Sequence, residues 1–355
     1  MNLSSIYESI LNYHGLLAYL YGNGLAFTPL RVQLEVTGTC NLKCEFCCQD
    51  QEYKQGKEEL SLAEIKSVID QIPRFTLLTF SGGEPLLRKD IKEIINYALE
   101  KKHFCNISTN GVLLNNEIIE LLVKKGFLAI SVSLDGMVEI HDKLRGVPQT
   151  FERVKNNLIT LSAIKKEQKK KFPLLDVKTV MTDKNIEELV KLYSFCETMG
   201  ADFFTLSLLK TNQAQFNPSS LKDNIEDESF YRRGSSGNLE TGKLISALER
   251  LEKLRGKTKI RFYPRFRSLK ELRSFLATRV DSQMCASACF EPWSSFQINA
   301  YGQAYPCLSY KVGNIKEYTL KEIWGSESFI SFRRRLKKNK LFPSCDGCCY
   351  LKMRI

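Results

Sequence analysis

Apolar segments of this chain stop at Ser81, Ser108 and Ser133, 27 and 25 residues apart, and each is followed by a stretch with apolar residues at three- and four-residue steps. That interval is the length of one strand and one helix joined by short loops. Its recurrence argues for a parallel α/β structure, closed or partly closed. Six strands are predicted: VQLEVT (32–37), TLLTFS (76–81), FCNIST (104–109), LAISVSL (128–134), LLDVKTVMT (174–182) and FFTLSLL (203–209). LAEIKSVIDQI, IKEIINYALEK, NEIIELLVKKG, FERVKNNLITLSAI and IEELVKLYSFCETMG read as the helices between them. The fold class is therefore α/β. Six units rather than eight predict a partial (β/α)6 TIM-like barrel.

Residues 6–21 have helical apolar spacing and end before Gly-Asn-Gly, so residues 1–29 form an N-terminal helical extension. Residues 30–210 hold the barrel. Residues 211–279 form a variable segment, read as a long loop or lid, a helix at about 241–255 and a candidate strand KIRFYP (259–264) that completes the barrel. From 280 to 355 the pattern changes to short apolar pieces, turns and cysteines, a second domain too small to bury a large core and held by metal.

The chain has 355 residues, 43% of them hydrophobic and 26% charged, which excludes a disordered chain. No apolar run reaches the roughly 18–20 residues of a membrane span, and MNLSSIYESI lacks a secretory signal, so a cytoplasmic location is expected. The net charge of +12 is partly local, with KKEQKKK (165–171) and RRRLKK (333–338) as the dense runs, each read as a solvated helix face or loop. No nucleic-acid module accompanies them, so nucleic acid is not an expected partner.

Twelve cysteines in a chain this long do not read as a disulfide framework. Cys40, Cys44 and Cys47 form Cys-x3-Cys-x2-Cys directly after the first strand, at the end of a parallel sheet where active sites lie. Three thiolates in a tight loop suit one corner of an iron–sulfur cube and leave one iron without a protein ligand. Zinc with a distant fourth ligand is the alternative. Cys48 breaks the spacing and reads as a packed or idle thiol.

These residues resemble the cluster motif of radical S-adenosylmethionine (radical SAM) enzymes, with Phe46 where an aromatic is usual. The resemblance implies a [4Fe–4S] cluster held by Cys40, Cys44 and Cys47, whose open iron chelates SAM. Reductive cleavage then yields a 5′-deoxyadenosyl radical that removes a substrate hydrogen. SGGEP (81–85) resembles the glycine-rich segment that meets the methionine amine, which implicates Gly82, Gly83 and Glu84. STNG (108–111) and SLDG (133–136) resemble the next strand ends, which touch the ribose and carboxylate, and implicate Asn110, Ser133 and Asp135. HDKLRG (141–146) resembles the following loop, where Arg145 would pair with the SAM carboxylate.

Near the C-terminus, GQAYPC ends at Cys307, CDGC supplies Cys345 and Cys348, and Cys289 precedes Cys307 by 17 intervening residues. This resembles the auxiliary-cluster domains called SPASM and twitch. It implies Cys289, Cys307, Cys345 and Cys348 as ligands of a second [4Fe–4S] cluster. Only Cys349 follows the pair, so one auxiliary cluster is the limit and twitch the better label. Cys285 competes with Cys289, and a structural zinc is the alternative metal.

The expected function is a radical SAM oxidoreductase acting on a peptide or small natural product, served by an external electron donor such as flavodoxin or ferredoxin. Only 39 residues precede Cys40, too few for a separate leader-peptide domain. The competing readings are an epimerase with Cys349 or Cys105 as hydrogen donor, and a non-catalytic metal-binding nucleic-acid module. Cys105 and Cys196 read as core, Trp293 and Trp324 as packing of the small domain, His14 and His103 as surface or packed, and the role of His141 is open.

Overall fold

The computed structural model describes residues 3–47, 58–74, 76–209, 224, 240–278, 288–307, 310–345, 348 and 350–351. The expectations for Cys48, Cys285 and Cys349, and most of those for 211–239, lie outside these residues.

All six predicted strands form: β1 (Arg31–Thr37), β2 (Leu77–Gly82), β3 (Phe104–Thr109), β4 (Ala129–Ser133), β5 (Leu174–Met181) and β6 (Phe203–Leu208). They pair in chain order and in parallel, as successive strand–helix–strand units do. The candidate strand KIRFYP becomes β7 (Lys259–Tyr263), parallel to β6. On the other side, β8 (Ser295–Ile298) pairs in parallel with β1 and carries the antiparallel pair β9 (Gln303–Tyr305) and β10 (Gly313–Asn314). Among the described residues the ten strands run β10-β9-β8-β1-β2-β3-β4-β5-β6-β7, with no pairing between the two ends. The sheet is thus open, as a partial barrel must be. The small C-terminal region extends it beyond the six expected strands.

Helix starts follow local chemistry. Ser61 and Glu64 form a capping box at α2 (Leu62–Gln71), and Asn115 caps α4 (Asn116–Lys124). Ile65, Val68 and Ile69 of α2, and Ile94, Ile95 and Ala98 of α3 (Ile91–Glu100), bury their stripe in one core with Leu34, Leu78, Phe80 and Ile107. Each such fully buried Val, Ile, Leu or Phe side chain contributes about 1.5–3 kcal/mol of transfer free energy. Because strand side chains alternate, the intervening residues Glu35, Ser81, Asn106, Ser131 and Asp176 face the opposite, concave side.

The small domain has a larger core than its length suggests. Trp293, Phe296, Trp324, Phe329, Phe332 and Phe342 are buried and continuous with the barrel core. Trp293 and Trp324 therefore pack as expected. The basic run 333–338 corrects the sequence reading at one position. Arg333 is fully buried, with its guanidinium 4.1 Å from the Trp324 ring centroid and 3.8 Å from that of Phe329. It donates to the carbonyls of Pro292, Gly24 and Trp324. A buried cation is tolerated there because carbonyl dipoles and ring faces replace water, and burial pulls its pKa down to about 9. Among the described residues no helix is long and apolar enough to cross a membrane.

Candidate active site

Strand β1 leads into the loop that carries Cys40, Cys44 and Cys47, and neighbouring elements hold that loop on three sides. From the β2 end, the Gly83 N–H donates to the Thr37 carbonyl and the Glu84 N–H to the Thr39 carbonyl, both at 2.8 Å. A Cβ on Gly82 would stand 2.1 Å from the Thr37 oxygen, and one on Gly83 2.2 Å from the Thr39 oxygen. Only glycine admits this contact. The backbone these glycines let approach is therefore that of the cysteine loop. Glu59 braces the same stretch, accepting from Thr37 Oγ1 and the Gly38 N–H. A cleft of about 460 Å³ opens beside it, lined by Thr37, Thr39, Glu59, Leu87, Arg88 and Lys89 among others.

Glu84 is fully buried. One carboxylate oxygen accepts from Thr109 Oγ1 at 2.7 Å and the Leu86 N–H at 3.0 Å, the other from the Asn110 N–H at 2.7 Å. Burial raises its pKa, and these three donors work against that rise. The side chain thus ties the end of β2 to the end of β3 and is not presented to solvent. From β3, Asn110 Nδ2 donates to Asn41 Oδ1 at 2.8 Å, which fixes the second side of the loop.

The third side is α5 (Val138–Arg145). Its last carbonyls, Leu144 and Arg145, accept the Glu45 and Lys43 N–H groups. Gly146 ends the helix with φ +68°, and a Cβ there would lie 2.5 Å from the Lys43 oxygen. The Arg145 side chain is buried. It pairs with the fully buried Asp135 at the end of β4, and its Nη1 donates to Cys44 Sγ at 3.5 Å. Its guanidinium lies 5.4 Å from the Phe46 ring centroid. Burial opposes the charge of Arg145, but Asp135 and Cys44 outweigh it and push the pKa up. Ser133 ends β4 half-buried, opposite Lys178.

Burial raises the Cys40 thiol pKa, and the charges of Glu84, Cys44 and Cys47 add to the rise. At Cys44 burial again raises it, opposed by Arg145. The three sulfurs are thus near enough to feel one another, and Cys47 is exposed. Among the described residues no three His, Cys, Asp or Glu side chains already form a metal-ready group. The donor set still fits an iron–sulfur group, with three soft ligands on one short loop and a fixed cation that favours thiolate at Cys44.

In the small domain, the Cys348 N–H donates to the Cys345 carbonyl at 3.0 Å, so this pair shares one buried turn. Cys289 and Cys307 are half-buried and packed against the same core.

Residues 34–196 match the model of the radical SAM superfamily, and residues 289–349 that of SPASM, an iron–sulfur cluster-binding domain. The chain belongs to the radical SAM superfamily. It is 28% identical over 340 residues to the AdoMet-dependent heme synthase of Methanosarcina barkeri, covering 92% of this chain and 90% of that protein. It is 29% identical over 181 residues to the sporulation killing factor maturation protein SkfB of Bacillus subtilis, covering 50% of this chain and 42% of SkfB. Its fold matches the crystal structure of Streptococcus suis SuiB bound to precursor peptide SuiA, with TM-score 0.64 and 16% identity, over 92% of this chain and 72% of SuiB. As a radical SAM enzyme with a SPASM domain, the chain carries two iron–sulfur modules and a SAM-dependent core.

Sequence reasoning missed Asn41 and Glu59, whose partners lie far along the chain, and left His141 without a role. It also offered Cys105 as a hydrogen donor. That thiol faces the helices, is 1% exposed and has its pKa pushed up to about 12 by burial, so it does not reach the concave face. Cys196 is equally buried core.

Proposed function

We propose that this radical SAM enzyme is an oxidoreductase that removes a hydrogen atom from a peptide or small natural product. Cys40, Cys44 and Cys47 would hold the SAM-binding [4Fe–4S] cluster, and Cys289, Cys307, Cys345 and Cys348 one auxiliary cluster. When bound, the cluster and SAM together supply, on one-electron reduction, the radical that takes the hydrogen. The chain's own residues position and exclude. Gly82, Gly83, Glu84 and Asn110 hold the cysteine loop against the strand ends, and Asp135 and Arg145 hold its other flank. The residues resembling SAM contacts, among them Ser133 and Phe46, lie at this same end of the sheet. The external electron donor belongs to this reading as well.

The observation that carries the substrate class is the concave face. Glu35, Ser81, Asn106, Ser131, Asp176 and Thr205 line it with hydroxyl, amide and carboxylate groups. Thr205 donates to Asp176 at 2.6 Å, while the buried Ser81 Oγ and Asn106 Oδ1 have no hydrogen-bond partner among the described residues. Such a wall suits the amide groups of a peptide, which need partners once desolvated. SkfB is named for maturation of a killing factor, and SuiB binds a precursor peptide. A tetrapyrrole substrate is the second reading, favoured by the heme synthase similarity over 92% of this chain.

The test is anaerobic reconstitution followed by dithionite and SAM. Release of 5′-deoxyadenosine by the wild type and not by Cys40→Ala supports the activity, and intact SAM refutes it. Mass spectrometry with precursor peptides encoded beside the gene, against iron coproporphyrin, separates the two substrate classes.

A further inference from the structure

We infer that Arg145 sets the reduction potential of the SAM-binding cluster by donating a hydrogen bond to the sulfur of Cys44, and that Asp135 and His141 are positioning residues that aim it. The inference rests on the proposed role of Cys44 as a cluster ligand.

Three contacts fix the guanidinium. Nη1 reaches Cys44 Sγ at 3.5 Å, Nη2 pairs with Asp135 Oδ2, and the planar group stands over the Phe46 ring. The main chain of the same residue grips the loop next to the ligand, since the Arg145 carbonyl accepts the Lys43 N–H at 3.0 Å. Side chain and backbone therefore hold Cys44 from one side, and at 7% exposure water does little to screen the charge.

Asp135 is fixed in turn through its backbone and Oδ1, which leaves Oδ2 to the ion pair with Arg145. Oδ1 accepts the Val180 N–H at 2.8 Å, its carbonyl accepts Asn185 Nδ2 at 2.8 Å, and its own N–H donates to His141 Nδ1 at 3.1 Å. A backbone N–H is only a donor, so Nδ1 must be the acceptor, and the neutral ring carries its proton on Nε2. That Nε2 is buried and without a partner. The ring packs edge-on to Phe151, 6.1 Å between centroids. Leaving a ring N–H orphaned is unfavourable, and the gain in return is a fixed Asp135.

Reduction adds an electron to a cluster that is already anionic with its thiolates. A cationic N–H donor on a coordinating sulfur stabilises the reduced state and raises the potential. The expectation from the family resemblance, that Arg145 pairs with the SAM carboxylate, would require a free fork of two N–H groups. Here Nη1 and Nη2 each already give one contact, to Cys44 and to Asp135, and the Nε–H is buried without a partner, so the guanidinium is oriented by the protein itself.

The experiment is a redox titration with dithionite, without SAM, followed by electron paramagnetic resonance on reconstituted full-length protein, with iron counted in every sample. Arg145→Gln shifts the one-electron equilibrium of the SAM-binding cluster about tenfold or more toward the oxidised form, a potential lower by about 59 mV for each tenfold. His141→Gln shifts it in the same direction by less, at unchanged iron content. Should Arg145→Gln fail to fold, Asp135→Asn/Arg145→Gln leaves no unpaired buried charge and is expected to give the Arg145→Gln shift. Potentials equal to wild type at full iron content, with only SAM affinity reduced, would overturn the inference and return Arg145 to the SAM carboxylate. Wild-type protein that assembles no cluster on the barrel loop would instead sink the ligand role of Cys44.

Discussion

The Arg145 guanidinium stands between the Asp135 carboxylate and the Cys44 sulfur, one Nη group turned to each. Asp135 comes from the end of β4, Arg145 from the end of α5 that follows it and Cys44 from the loop after β1, so two separate strand–helix units meet in one buried contact.

That contact makes Asp135 structurally sensitive. Replacing it with Ala leaves Arg145 charged and buried without its counter-ion. The expected loss is about 3–5 kcal/mol of unfolding free energy, measured by anaerobic denaturant titration. Asp135→Asn retains an acceptor for the Val180 N–H and is expected to lose less.

The glycines beside the loop should behave unequally with those elsewhere. Gly83→Ala forces a methyl to within 2.2 Å of the Thr39 oxygen, so the cysteine loop must move. Slower cluster assembly and faster bleaching in air are expected, followed by visible absorbance. Gly242, in α8 (Thr241–Glu252), has open space where a Cβ would stand, so Gly242→Ala should leave the cluster untouched and add up to about 1 kcal/mol of helix stability.

His141 supplies a pH dependence. Burial lowers its pKa from 6.5 to about 3, so the folded state prefers the neutral ring. As pH falls below about 6.5 the unfolded chain takes up a proton that the folded chain refuses. Stability present above that pH is then lost progressively toward pH 3, with a slope of up to about 1.4 kcal/mol per unit. Denaturant midpoints at pH 7 and pH 5.5 should differ less in His141→Gln than in wild type. Equal differences would show that this ring does not contribute.

Metal stoichiometry separates the two cysteine groups. With one cluster per group, the wild type holds about eight irons, and Cys44→Ala or Cys307→Ala each removes about four. Retention of the full iron content in Cys307→Ala would refute the auxiliary assignment.

The six barrel strands and the segments at their ends were readable in sequence because the repeat of strand and helix is long and each apolar stripe regular. Strand β8 was not, because SFQI is only four residues long and its stabilisation comes from pairing with β1. Arg333 was hidden for a similar reason. A run of cations looks solvated unless one knows that Trp324, Phe329 and three carbonyls, two of them from distant segments, surround it. Arg145, Asp135 and Glu84 were each picked out by motif, but their partners were not. Arg145 turns to a residue 101 positions away and Glu84 to Thr109 and Asn110 on the next strand.

The parallel pairing of β8 with β1 has a consequence for how the protein can be divided. Val32, Leu34 and Val36 lie on the strand that feeds the cysteine loop, and all three are fully buried. Cutting the chain after the barrel would strip the hydrogen-bonding partner from that strand and expose an apolar edge ready to pair with another molecule. A truncated barrel would then tend to aggregate through the very strand that carries the first cysteines, so the two iron–sulfur modules share one folding unit.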